Sequence, residues 1–157
     1  MRLPTTRRRQ RPGAALVEMT FIALALFTFM FAIFEFGRYI MYRQIIDNAA
    51  RSGARQAVIE ATSYISQSVA TADVTAVVNQ NLAALNVQNL NIQIYQADNN
   101  GTNTGNWTLA QFGSNIVVQV DADLPLLFPT FGFLPNNGAA ANSVHITAKV
   151  MMRSEAN

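Results

Sequence analysis

The chain has no cysteine and a single histidine, His145, in 157 residues. Without thiols it can build no disulfide framework, no thiolate zinc site and no cysteine nucleophile. One histidine also leaves a metal site short of its usual ligands. No phosphate-binding loop, nucleophile elbow or dinucleotide fingerprint is present. An enzyme is therefore not expected, nor a cofactor, a metal or a small-molecule substrate. Charge is scarce and unevenly spread. No acid precedes Gly13, yet five of the 11 basic residues (Arg2, Arg7, Arg8, Arg9 and Arg11) lie there. The other six bases face nine acids, a formal charge of −3. That mild acidity argues against a nucleic-acid partner for the part after the tail.

Charge is scarcest between residues 14 and 34, where Glu18 is the one charged side chain in 21 residues. About 20 apolar residues in a helix span a bilayer's hydrocarbon core, at ~1.5 Å each. Soluble core helices are rarely apolar on every face over such a length. We read a transmembrane helix over residues 14–36. The arginine-rich tail before it holds the N-terminus in the cytoplasm and sends the rest outward. A secretory signal would need a small-residue cleavage site after the apolar segment. That segment ends Phe-Ala-Ile-Phe-Glu-Phe-Gly-Arg, and the small-residue junction, Gly13-Ala14, lies before it.

Nothing stops the helix at Phe34. Glu35 and Arg38, three apart, can pair near the outer interface. An amphipathic extension follows over residues 37–70. Arg43, Asp47, Arg51 and Arg55 form a ridge at four-residue steps, with Asp47 placed to pair with its neighbours. The opposite face carries Tyr42, Ile45, Ile46, Ala49, Gly53 and Ala57. Ala49, Gly53 and Ala57 are small enough to let another backbone approach closely. That backbone belongs either to the chain's own head or to a neighbouring subunit's helix.

In order and spacing, several pieces of residues 12–58 resemble the TadE-like family, pilin-like minor subunits of tight-adherence (Flp-type) pilus systems in bacteria. The pieces are Gly13 before a small residue, Val17-Glu18, the apolar run, Glu35-Phe36-Gly37-Arg38, and Ala49-Ala50-Arg51 through Arg55. The resemblance implies a prepilin peptidase cutting after Gly13, with Ala14 as the mature N-terminus. Glu18 would then be the fifth mature residue, where pilin-like proteins carry the glutamate used in assembly. Its simpler alternative role is a carboxylate favoured at the positive end of the helix dipole. Leu24 stands where many relatives have a proline, so no kink is expected there. Pro12 stands where relatives usually have a basic or polar residue.

The head, residues 71–157, is expected to be extracytoplasmic and α+β. Thr71 or Asp73 can cap a second helix, with an apolar face of Val74, Val77, Val78, Leu82 and Leu85. Three alternating stretches predict a three-stranded antiparallel sheet covered on one side. Their apolar sets are Leu90, Ile92 and Ile94; then Ile116, Val118, Val120, Ala122 and Leu124; then Val144, Ile146, Ala148, Val150 and Met152. Asp121 and Asp123 share a polar face and can oppose cations such as Lys149. His145 falls on a polar face, in a solvated or hydrogen-bonded role. Asp98, Asn100 and Thr102 imitate the start of a calcium loop. However, Asn103 replaces the required glycine and Leu109 the bidentate glutamate. The stretch 125–135 holds six large apolar residues. It either caps the core, meets another subunit or dips into the membrane surface.

The expected protein is thus a minor pilin or pseudopilin in the bacterial inner membrane, destined for a pilus. Residues 1–13 form its basic leader. Its expected partners are other pilin subunits, the assembly platform and the prepilin peptidase. The alternative is an uncleaved single-pass binding module, a sensor or adhesin.

Overall fold

One helix carries both halves of the molecule. In the computed structural model, which describes residues 12–61, 67–127 and 142–154, α1 runs unbroken from Pro12 to Ala61. No proline follows Pro12 within it, and Leu24 continues the helix. The first half is largely exposed, with Leu16, Phe29 and Ile33 at 69%, 71% and 72%.

The second half is the covering layer of the head. Tyr42, Ile46, Ala49, Ala50, Ala54 and Ala57 are buried there. They meet α2 (Gln67–Leu82), whose buried residues Ala70, Val74, Val78 and Leu82 repeat every four. Such spacing puts all four on one face. Beneath the helices lie β1 (Gln88–Ala97), β3 (Asn115–Pro125) and β4 (Ser143–Arg153), all antiparallel. The central strand, β3, turns Ile116, Val118, Val120, Ala122 and Leu124 into the core, each essentially inaccessible. Each buried Val, Ile or Leu contributes about 1.5–3 kcal/mol relative to exposure.

The sheet has four strands, in the order β2-β1-β3-β4, and not the three expected from alternation. The extra strand, β2 (Asn103–Gly105), is Asn-Thr-Gly and fully exposed. It offers no apolar period to read, and its place comes from backbone geometry alone. Asp98 and Thr102 close the turn before it, N–H to carbonyl, at 3.1 Å. Gly101 sits there at φ +78° with the tip of Lys149 only 3.3 Å from where a Cβ would lie. A glycine meets both demands without strain. Between β2 and β3 a 3-10 turn (Trp107–Leu109) drives Trp107 into the core, 1% exposed. The Asn106 side chain caps that turn by accepting from the Thr108 N–H at 3.0 Å.

Two expected helix details also differ. α2 starts at Gln67, ahead of both Thr71 and Asp73, which lie inside it. Among the described residues no ion pair joins Asp47 to Arg43 or Arg51. Their long side chains stand on the solvent side of α1, where pairing yields little against the entropy of holding it.

The small-residue stripe of α1 meets the chain's own head. A Cβ built on Gly53 would lie 2.5 Å from Val78 Cγ2, 3.4 Å from Val118 Cγ1 and 3.7 Å from Val74 Cγ1. At this point α1, α2 and β3 come together, and a stiff β-branched side chain cannot swing aside. Gly53→Ala should therefore destabilise the head by roughly 1–3 kcal/mol through overpacking. Thermal unfolding in detergent measures it, and an unchanged midpoint would show that the helices separate freely.

Candidate functional site

The lower half of α1 is the first functional surface. Its most apolar window is 0% buried, so the hydrophobicity is not spent on the chain's own core. Among the described residues, this helix alone is long and apolar enough to cross a membrane. Its two threonines hide their hydroxyls: Thr20 donates to the Leu16 carbonyl and Thr28 to that of Leu24, both at 2.8 Å. Internal satisfaction of this kind is what a hydrocarbon environment requires of a polar group. Glu18 is exposed near the start of the helix, far from the head. Gly13 and Gly37 have open space where a Cβ would go, so packing demands glycine at neither position.

At the junction with the head the structure forms a clamp. Arg38 Nη2 donates to Glu35 Oε1 at 2.5 Å and also to the carbonyl of Pro125, the last residue of β3. The Leu127 N–H donates to the same Glu35 oxygen at 3.4 Å. The Arg38 guanidinium stacks 5.6 Å from the Tyr42 ring centre, within cation–π range. The pair is largely buried, and Glu35 Oε2 and Arg38 Nε find no hydrogen-bond partner among the described residues. Two side chains of α1 thus hold the end of the sheet against the helix. Only Pro125 to Leu127 of the apolar stretch 125–135 falls within the description; residues 128–135 lie outside the described residues.

The outer sheet face carries a polar cluster. His145 Nδ1 lies 2.7 Å from Asp123 Oδ1. The other Asp123 oxygen accepts from Asn89 Nδ2 at 2.8 Å. Asn89 reaches it from a bulge in β1, at φ +49°. Asp121 accepts from Thr147 Oγ1 at 2.7 Å and from Gln119 Nε2 at 2.9 Å. The expected opposition to Lys149 does not form, because the register sets Asp121 across from Thr147 and Asp123 across from His145. Lys149 lies across from Gln119 and instead donates to the Gly101 carbonyl at 2.6 Å, over the Tyr95 ring. Every acid in the cluster is already occupied, which suits a structural network and leaves no free nucleophile–base pair.

Asp98 belongs to a turn. Its Oδ1 accepts from the N–H groups of Thr102 (2.7 Å) and Asn100 (2.9 Å). These bonds, Thr102's first, hold its carboxyl below the usual value of 3.8 against a smaller opposing desolvation. The stabilisation is present above that ordinary value and is lost as pH falls through the lowered one. Among the described residues no group of three or more His, Cys, Asp or Glu is placed to hold a metal ion.

The chain is a small α+β head built on the upper half of an N-terminal helix whose lower half is exposed and apolar. By comparison, residues 13–55 are similar to the family model described as TadE-like protein. This supports a general pilin-related role carried by α1, while the whole sheet lies outside the matched segment. No curated protein and no solved structure matches the chain.

Sequence reasoning placed Glu35 and Arg38 side by side on α1. It had no signal for Pro125 or Leu127, which are about 90 residues away and meet the pair through folding alone (separations of 87 and 92). Removing one partner of a buried pair leaves an uncompensated charge. Arg38→Met should therefore destabilise the head by about 3 kcal/mol, and Glu35→Leu in the same chain should restore part of it. Thermal unfolding of the two single variants and the double variant forms the cycle. Additive losses would mean that the clamp carries no coupling.

Proposed function

We propose that this chain is a minor pilin or pseudopilin of a tight-adherence pilus, cut after Gly13 by a prepilin peptidase. The observation that carries the reading is an unbroken helix, described from Pro12 onward, whose apolar first half is left largely exposed. Such a surface needs lipid before assembly and neighbouring helices after it. Gly13 supports the same reading, because nothing in the fold requires a glycine there. The N-terminus faces the cytoplasm, and the head stands outside the inner membrane. The partners are other pilin subunits and the assembly platform.

Mass analysis of the protein recovered from membranes tests the cut. With the peptidase active, the mature chain should begin at Ala14. A chain that keeps residues 1–13 would instead be a permanently anchored binding module.

Glu18 is the proposed assembly residue. A charge in a membrane helix costs about 2.5–3.5 kcal/mol on insertion scales, so it calls for a partner. It lies only ~6 Å along the helix from Ala14, at four rises of ~1.5 Å, close enough to the boundary to reach water. Cleavage creates a cation, the Ala14 α-amine, which a staggered neighbour can present to Glu18. A desolvated pair of this kind serves register more than net stability. Glu18→Gln should leave insertion and cleavage intact but block incorporation into the pilus. Normal piliation by the cleaved Gln variant would remove the pairing role.

A further inference from the structure

The clamp fixes the height of the head. Ala14 to Glu35 is 21 helical rises, about 32 Å at ~1.5 Å each, and the hydrocarbon core of a bilayer is about 30 Å thick. Glu35 and Arg38 therefore stand at the outer edge of the apolar layer once α1 spans it. The same pair holds Pro125 and Leu127 by hydrogen bonds, so the β3 end of the sheet lies at that height as well. Leu127 is 67% exposed there, a large apolar side chain pointing away from the core. Just beyond the same pair α1 also exposes Phe36, Ile40 and Met41, on faces turned away from Leu127.

The opposite end of the sheet differs in position but not in apolar exposure. β3 extends from Pro125 to Asn115 over ten rises, about 33 Å at ~3.3 Å each. Leu109, on the 3-10 turn that precedes that far end, is 73% exposed. Two equally bare leucines thus lie at opposite ends of the head, one of them at the membrane boundary.

The geometry points to a membrane-contact surface at the base of the head, in which Leu127 enters the interfacial layer of the bilayer. The occupant is lipid, because the hydrogen bond to Glu35 sets Leu127 at the height where the spanning part of α1 must meet the bilayer surface. The head is then seated on the membrane in one orientation, held by α1 on one side and by the β3 end on the other. The inference rests on the spanning reading of α1.

The natural absence of cysteine makes the test direct. Single variants Leu127→Cys, Leu109→Cys and Phe27→Cys are labelled with an environment-sensitive fluorophore and placed one chain per phospholipid nanodisc. The lipids carry nitroxide quenchers either at the headgroup or deep in the acyl chain. The label at Leu127 should shift to the blue and be quenched by the shallow nitroxide, while that at Leu109 is not. The label at Phe27 should be quenched by the deep nitroxide. If Leu127 behaves like Leu109 while Phe27 is quenched, the head stands off the bilayer and the inference is wrong. If Phe27 escapes both quenchers, the spanning reading itself fails and the inference falls with it. A blue shift at Leu127 that appears only when several chains share a nanodisc, without nitroxide quenching, would make a second copy the occupant and would equally overturn it.

Discussion

The head depends on how closely α1 can approach it. A sheet with one apolar face needs a layer over that face, and here much of the layer is the upper half of the anchoring helix. At Gly53 the α1 backbone lies so near Val78 and Val118 that no Cβ fits. Ala49 and Ala57 extend the approach by a turn on each side. Spread over three elements, this one contact welds α1, α2 and β3 together. The head and the long apolar helix are therefore one mechanical unit rather than a domain on a tether.

A single helix in two environments must change character along its length, and the Glu35–Arg38 pair marks where it does. Below it, α1 has apolar side chains on all sides and buries none against the head; above it, one face is buried and the other charged. A bare ion pair at this boundary would be costly to desolvate. It is not bare, because the Pro125 carbonyl and the Leu127 N–H share it. The pair thereby ties the C-terminal end of β3 to the helix.

The outer face of the sheet shows how polar residues are held where no helix covers them. Asp123, though almost fully buried, meets His145 and Asn89, while Asp121 meets Thr147 and Gln119. Farther along, the Lys149 side chain lies over Tyr95 and reaches the turn before β2. Each long side chain covers apolar surface with its stem and satisfies a polar group with its tip. The turn, the exposed strand and the sheet are joined by these contacts beside a small apolar cluster of Tyr95, Ala97 and Val117.

Much of the molecule was legible beforehand. The apolar run of α1, the inward residues of the β3 stretch and the face of α2 follow from periodicity, since a period of 3.6 or 2 decides which side chains share a side. The small residues at 49, 53 and 57 announced a close approach but not whose backbone would make it. Local order also put Glu35 near Arg38 and His145 on a polar face. What the sequence by itself determined, then, was the set of elements and the side on which each is apolar, because both depend on neighbours a few residues away. Tertiary structure decided the rest: β2, which has no pattern of its own; Trp107 as a core residue within a polar loop; Asp123 rather than a solvent-facing partner for His145; and the closing of the clamp by Pro125 and Leu127. Each of these joins residues distant in the chain, and the register of one strand against the next, not the composition of either, sets who meets whom.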